Sequence, residues 1–171
     1  MSTDFDFLLG RWRVSNTRLA RWLSNSRDWM EFESQHEERR LSSGQGTVAY
    51  HQYVLNDVTY ERGILRSYNE RFDFWKIDRL DGQAILSMMP LKGTFSLNKG
   101  FFLSRGTLRS LDVLVHVEWT RICETFACWE QALSKDNGRT WETNWIMEFF
   151  KQGSPNPADR VLRPGFNPNP Y

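Results

Sequence analysis

The stretch LDVLVHVEWTRI, residues 111 to 122, carries the clearest structural signal in this chain. Polar and apolar residues alternate along it. Strict alternation is typical of a β-strand with one buried face, because successive side chains point to opposite sides of the strand. The pattern predicts four inward-facing side chains: Val113, Val115, Val117 and Trp119.

Strand-like segments continue on both sides of this stretch. They are rich in β-branched and aromatic residues and follow one another at hairpin-length spacing. They are RWRVSNTRLARW (11 to 22), DWMEFESQHEER (28 to 39), TVAYHQYVL (47 to 55), TYERGILRSY (59 to 68) and FDFWKIDRL (72 to 80), followed by QAILSMMPLKGTFSL, FFLSRGTLRS, ETFACWEQAL and TWETNWIMEFF. We count nine or ten strands and no convincing helical period. The sequence predicts an all-β fold, a single closed antiparallel up-and-down barrel, because closure removes exposed sheet edges.

The chain has 171 residues, which suits one barrel domain, over residues 1–151. A tail over residues 152–171 holds five of the six prolines. Proline and asparagine at this density exclude helix and sheet. The tail is either disordered or an extended strap over the barrel, held by Phe166 and Tyr171.

The charges nearly cancel, with 22 Lys and Arg against 21 Asp and Glu. This balance predicts no nucleic-acid or membrane partner. No apolar run reaches the roughly 20 residues of a membrane span, and MSTDFDFLLG lacks the basic start of a signal peptide. We expect a cytoplasmic protein. Cys123 and Cys128 lack zinc-site spacing and are expected to be free thiols.

Several segments resemble a known family. DFLLGRWRV, DWMEF, LRSYN, FWKI and above all WEQALSKDNGRTWETNWIMEF resemble a bacterial family of the DUF1579 type, over about residues 4 to 150. Its fold relatives are the calycins, which include lipocalins, fatty-acid-binding proteins and nitrobindin-like haem barrels. The resemblance implies a lipocalin-like barrel of about ten strands with an internal cavity, and implies no known activity. It also implies that Trp12 plugs the closed end, where Gly10 lets the preceding apolar segment approach closely.

Residues 134 to 141, SKDNGRTW, fit the Asp-box pattern SxDxGxTW of sialidase propellers. Propellers repeat this pattern once per blade, and here it occurs once. We interpret it as a structural lock on a hairpin, in which the Ser and Asp side chains tie down the turn.

The three histidines do not form a recognisable catalytic motif. Alternation predicts that His116 points to solvent, and the charged run SQHEERR predicts an exposed His36. His51, between Tyr50 and Tyr53, is the one candidate for a cavity histidine. No GxSxG, His-x-His or HExxH spacing occurs, and TWETNWIMEFF holds no histidine for haem. The sequence predicts no metal and no cofactor, and assigns no catalytic residue.

The chain has 8 Trp, 12 Phe and 5 Tyr, too many large rings to leave exposed together. Such rings suit a barrel core or the wall of a ligand pocket. The predicted ligand-binding residues are Tyr53, Arg66, Trp75, Trp119, Trp129, Gln131 and Trp145. Gln131 is the favoured polar anchor, because it shares a strand face with Trp129. Arg66 is the weaker anchor, because Arg62 shares its face and two buried arginines without acids would be untenable.

Three functions remain open at this point. The first is binding of a hydrophobic or aromatic small molecule inside the barrel. The second is a cofactor-independent enzyme of specialised metabolism using the same cavity, of the isomerase, cyclase or lyase (dehydratase) type. The third is a structural or interaction module, with the tail as a docking strap.

Overall fold

A computed structural model describes residues 2–81 and 85–153, and nearly all of them lie in strands or tight turns. A short 3-10 helix, Asp6–Leu8, comes first. The strands are β1 (Gly10–Leu19), β2 (Trp29–Arg40), β3 (Gly46–Leu55), β4 (Val58–Asn69), β5 (Phe74–Asp81), β6 (Leu86–Met88), β7 (Leu91–Ser96), β8 (Lys99–Leu108), β9 (Leu111–Thr120), β10 (Phe126–Ser134) and β11 (Glu142–Lys151). Two-residue turns join several of them, such as Asn56 and Asp57, whose left-handed backbone matches the twist of a hairpin.

The sheet closes on itself. Strands pair antiparallel around the barrel, and β1 also pairs with β11, from Trp12 opposite Lys151 to Arg18 opposite Trp145. The strands β6 and β7 share one position, because both pair with β8. Ten positions therefore complete the circle, and the predicted closed antiparallel barrel is confirmed.

The shared position of β6 and β7 is one strand with a break. QAILSMMPLKGTFSL was predicted as a single segment, and the break falls at Met89 and Pro90. Proline has no N–H to offer a neighbouring strand, so pairing lapses there. The Ser104 hydroxyl on β8 donates to the Met89 carbonyl at 2.6 Å and bridges the gap.

The alternation of β9 matches its prediction. Val113, Val115, Val117 and Trp119 are all at most 4% exposed and belong to the core. The intervening side chains, including His116, lie on the outer face, where the His116 ring stacks on Phe101.

Aromatic side chains fill one end of the barrel. The Trp12 indole N–H donates to the Leu8 carbonyl at 2.7 Å, which ties the 3-10 turn to β1. The Phe5 ring lies 4.9 Å from both Trp75 and Phe95. Trp12 thus lies at the closed floor of the barrel, as the family resemblance implied. Gly10 has a φ of +107°, so the position favours glycine for its backbone conformation and not for a close approach.

The predicted hairpin lock is present between β10 and β11. The Asp136 carboxylate accepts hydrogen bonds from the Thr140 N–H at 2.9 Å and its hydroxyl at 2.6 Å. The Ser134 hydroxyl accepts the Gly138 N–H at 2.8 Å. These bonds satisfy the polar groups of the turn, which supports the structural interpretation.

Cys123 and Cys128 are both free. Among the described residues, no helix is long and apolar enough to cross a membrane. The predicted tail lies outside the described residues from position 154 onward.

Candidate functional site

The barrel encloses two adjoining cavities. The outer one, of about 120 Å³, is lined mainly by rings and arginines from β1, β3, β4, β5 and β11. The inner one, of about 40 Å³, lies nearer the aromatic floor. Arg62 and Arg79 line both cavities. A wider depression of about 650 Å³ lies between β8, β9 and the Asp136 turn, but no buried charged side chain lines it. The lumen is therefore the candidate site.

All seven predicted ligand-binding residues are at most 7% exposed. The structure brings them together in two groups and leaves one apart. Tyr53, Gln131 and Trp145 line the outer cavity. Arg66, Trp119 and Trp129 line the inner one. Trp75 lies in the floor beside Phe5.

Arg62 and Arg79 share the carboxylate of Asp81. Arg62 pairs with one oxygen of Asp81, and the Arg79 guanidinium lies 3.3 Å from the other. Burial, followed by the charge of Arg62, lowers the pKa of Arg79 to about 10. Two buried arginines on β4 were expected to be untenable without an acid. Asp81 provides that acid, because it lies opposite Arg62 in the β4–β5 register.

Arg18 has no such acid. Its guanidinium stacks on Trp22 and Trp145, at 4.9 and 4.8 Å from the ring centres. It makes no ion pair with any residue in ranges 2–81 and 85–153, and its Nε has no hydrogen-bond partner there. Burial lowers the pKa of this guanidinium. Arg18 is thus a partly desolvated cation that faces a cavity.

Glu38 organises the inner cavity. Its carboxylate lies 2.8 Å from Arg66 Nη1 and accepts the Thr47 hydroxyl. The Arg66 guanidinium and the Glu38 carboxylate form a buried ion pair. Burial raises the pKa of the Glu38 carboxyl, but Arg66, His36 and Thr47 outweigh it and hold the pKa below its usual value. Glu38 is therefore a carboxylate.

The two histidines of β2 and β3 complete this cluster. His36 Nε2 lies 3.0 Å from Glu38 Oε2, and His36 Nδ1 lies 3.3 Å from His51 Nδ1. Both rings are 2% exposed. The prediction of an exposed His36 is wrong, whereas His51 does line the cavity. Burial lowers the pKa of both imidazoles, despite Glu38 beside His36.

A second polar network crosses the barrel near Trp145. The Trp145 indole N–H donates to Asn16 at 3.0 Å, and the Asn16 amide donates to the Ser34 hydroxyl at 2.8 Å. The Gln131 amide donates to Asn144 at 3.2 Å. These bonds fix the ring of Trp145 and occupy one donor of Gln131.

The lumen carries net positive charge. Four guanidinium groups (Arg18, Arg62, Arg66 and Arg79) face two carboxylates (Glu38 and Asp81), while both histidines are neutral. Within the part of the chain that the structure describes, no three His, Cys, Asp or Glu side chains are placed to hold a metal ion. The chemistry on offer is recognition of an anion and movement of a proton.

Comparison with known proteins finds a likeness in fold. No family model matches the sequence, and no curated protein matches it. The barrel resembles the S-type phycobiliprotein lyase CPES from Guillardia theta, with a TM-score of 0.58 and 10% identity over 91% of this chain and 95% of that chain. At that identity the likeness shows the fold alone. The narrower DUF1579 resemblance stays a prediction.

Sequence reasoning missed several residues of this site. Arg18, Arg62 and Glu38 are absent from the predicted ligand-binding set. Arg18 and Arg62 face the lumen, and Glu38 was not considered. The available signal was alternation along β2, which places Glu38 on the face of Ser34 and His36.

Proposed function

We propose that the barrel binds a small organic anion with an aromatic or otherwise apolar body. The acidic group lies toward Arg18 and Arg62 at the outer cavity. The body contacts the rings of Tyr53 and Trp145, and Gln131 lies on the same wall. These three are residues of the predicted ligand-binding set.

Arg18 carries this proposal. Removing a cation from water without a counter-charge costs free energy, and in proteins a carboxylate usually supplies that counter-charge. Ligand pockets are mostly apolar with a few placed polar groups, and stacked rings around one guanidinium match that description. A purely hydrophobic ligand would leave the positive lumen uncompensated. The cavities and the unpartnered nitrogens also favour a ligand over a solid structural core.

The size of the cavity favours a small ligand. About 120 Å³ is below the roughly 300 to 1,000 Å³ of drug-sized pockets. The likeness to a phycobiliprotein lyase supports small-molecule binding in general, and suggests a tetrapyrrole as a larger candidate. The outer cavity suits a single-ring acid better. A tetrapyrrole such as biliverdin is larger than this cavity and should therefore bind more weakly than a single-ring acid.

Benzoate and benzamide test the charge, because they differ in one group. We expect benzoate to change the tryptophan fluorescence, since Trp145 stacks on Arg18, and to bind about tenfold more tightly than benzamide. Arg18→Met should remove this preference. Arg13→Met is the matched control, because Arg13 lies on the outer face of the same strand and pairs with Glu33. Equal binding of the two probes, or equal effects of the two variants, would contradict the proposal.

A further inference from the structure

Glu38, His36 and His51 form a chain of three buried groups that ends at the inner cavity. The β2–β3 register places His36 directly opposite His51. Glu38 lies two residues along β2, on the same face as His36. The chain is therefore built into the pairing of two strands and does not depend on a loop.

The hydrogen bonds of this chain fix where its protons lie. Glu38 is a carboxylate and only accepts, so His36 Nε2 must donate to it. His36 is neutral, so its Nδ1 is left as an acceptor. His51 Nδ1 must then donate across the 3.3 Å contact. His51 Nε2 consequently carries a lone pair and no proton.

That nitrogen has no partner. His51 Nε2 is buried and makes no hydrogen bond with any residue that the structure describes. His51 lines the inner cavity together with Arg62 and Arg66. A buried acceptor left unpaired is costly, so a donor from outside the chain is expected there. The inner cavity adjoins the outer one through Arg62, so a molecule held by the arginines lies next to the cavity that His51 lines.

We propose that His51 Nε2 is the proton acceptor of the lumen, and that the ligand is an acid with a second, donating group, such as a hydroxyl, that binds this nitrogen. The inference rests on the proposed function and narrows its ligand to hydroxy acids and similar compounds. It also identifies His51 as a residue that touches the ligand, with His36 and Glu38 as positioning residues.

The chain can also accept the proton outright. The O–H bond of the ligand breaks, a bond forms between the proton and His51 Nε2, and the Nδ1 proton passes to His36. His36 becomes an imidazolium against the Glu38 carboxylate, while the new negative charge on the ligand faces Arg62 and Arg66. Nothing is oxidised or reduced, and no further reagent is needed. This is the first half of general-base catalysis.

The charged groups around His51 explain why the free protein holds it neutral. Burial comes first, and His36, Arg62 and Arg66 add positive or potentially positive neighbours that lower its pKa. Tyr53 packs against the His51 ring at 6.1 Å. An anion on Arg62 would offset these cations, so ligand binding and proton transfer should support each other.

The first test is the protonation of His51 in the full chain, by NMR with ¹⁵N-labelled histidine. We expect Nδ1 to carry the proton and Nε2 to be bare in the free protein. A proton on Nε2 of the free protein would overturn the proposal without involving any ligand, and this measurement needs no variant.

The second test compares benzoate with 2-, 3- and 4-hydroxybenzoate. At least one hydroxybenzoate should bind about tenfold more tightly than benzoate and shift the His51 Nε2 resonance toward its protonated position. This ratio should fall to about one in His51→Phe and persist in His116→Phe, whose ring lies outside the barrel. If benzoate binds and no hydroxybenzoate binds more tightly, water alone fills the inner cavity. This proposal then fails, while the proposed function stands. If no carboxylate binds, the proposed function fails with it.

Discussion

Glu38 is a single carboxylate on which three neighbours depend. Arg66 lies 2.8 Å from it, and Thr47 and His36 donate to it. Both charges of the Arg66–Glu38 pair are buried, at 5% and 0% side-chain exposure. Removing one partner of a buried pair leaves the other as an uncompensated charge, which is far more costly than losing an exposed pair.

Glu38→Gln should therefore lower the free energy of unfolding by about 3 to 5 kcal/mol, because Arg66 loses its counter-charge. Glu33→Gln on the same strand should cost about 0 to 1 kcal/mol, because its pair with Arg13 is exposed to water. Urea unfolding of both variants measures the difference. Similar losses in the two variants would show that the Arg66 pair is not the source.

Individual residues also show how much of the site could be predicted from the sequence. Tyr53 and the four tryptophans of the predicted set are buried because large rings are costly to expose, and burial of rings can be inferred from composition and alternation. His36 was misjudged because charged neighbours in sequence suggested solvent. Its burial depends on Arg66 and His51, which lie on other strands and neutralise or satisfy the cluster. Such partners appear only once the register is known.

At the level of the element, the apolar strand β9 was fully predictable, because every inward position is Val or Trp. Strand β2 was not, although it alternates just as regularly. Its inward side chains at Ser34, His36 and Glu38 are polar, so a pattern based on hydrophobicity cannot tell the two faces apart. The break between β6 and β7 could have been inferred from Pro90 alone.

A glycine sets the spacing between β7 and β8. A Cβ built on Gly93 would lie 1.8 Å from the Phe101 carbonyl oxygen and 2.7 Å from the Phe102 Cα. Both atoms are backbone, so they cannot rotate away. On β4, a Cβ at Gly63 would meet only the Leu80 side chain, at 3.6 Å.

Gly93→Ala should thus destabilise the barrel by about 3 kcal/mol or more, because the paired strands must separate. Gly63→Ala should stabilise it by about 0.5 kcal/mol, because alanine restricts the unfolded chain and the contact is ordinary. Thermal unfolding of the two variants is the measurement. A tolerated Gly93→Ala would mean that β7 and β8 lie farther apart than described.

The whole molecule should respond to acid through its buried histidines. His36 and His51 have pKa values below their ordinary 6.5 when folded, so the unfolded chain binds protons at a pH where the folded chain does not. Stability is then full above about pH 6.5 and falls as the pH drops through that value. Glu38, whose pKa is also lowered, adds a loss below its ordinary 4.5.

Between pH 7.5 and 5.5 the two histidines should remove up to about 3 kcal/mol from the free energy of unfolding, at up to about 1.4 kcal/mol per proton and pH unit. His51→Gln should lose about half of this dependence, because one titrating ring remains. Urea unfolding at the two pH values tests it. A stability that rises toward pH 5.5 would mean that the folded histidines are protonated, with their charge held by Glu38.

The pairing of β1 with β11 also governs how the chain can be made. Translation at about 5 to 20 residues per second completes β1 several seconds before Glu142 to Lys151 exist. During that interval the nascent sheet has two open edges, one on β1 and one on the strand most recently made, and each can recruit a strand from another molecule. Ribosomes that follow closely on one messenger would bring such edges together. A product that ends before β11 keeps both edges open and is exposed to aggregation and degradation.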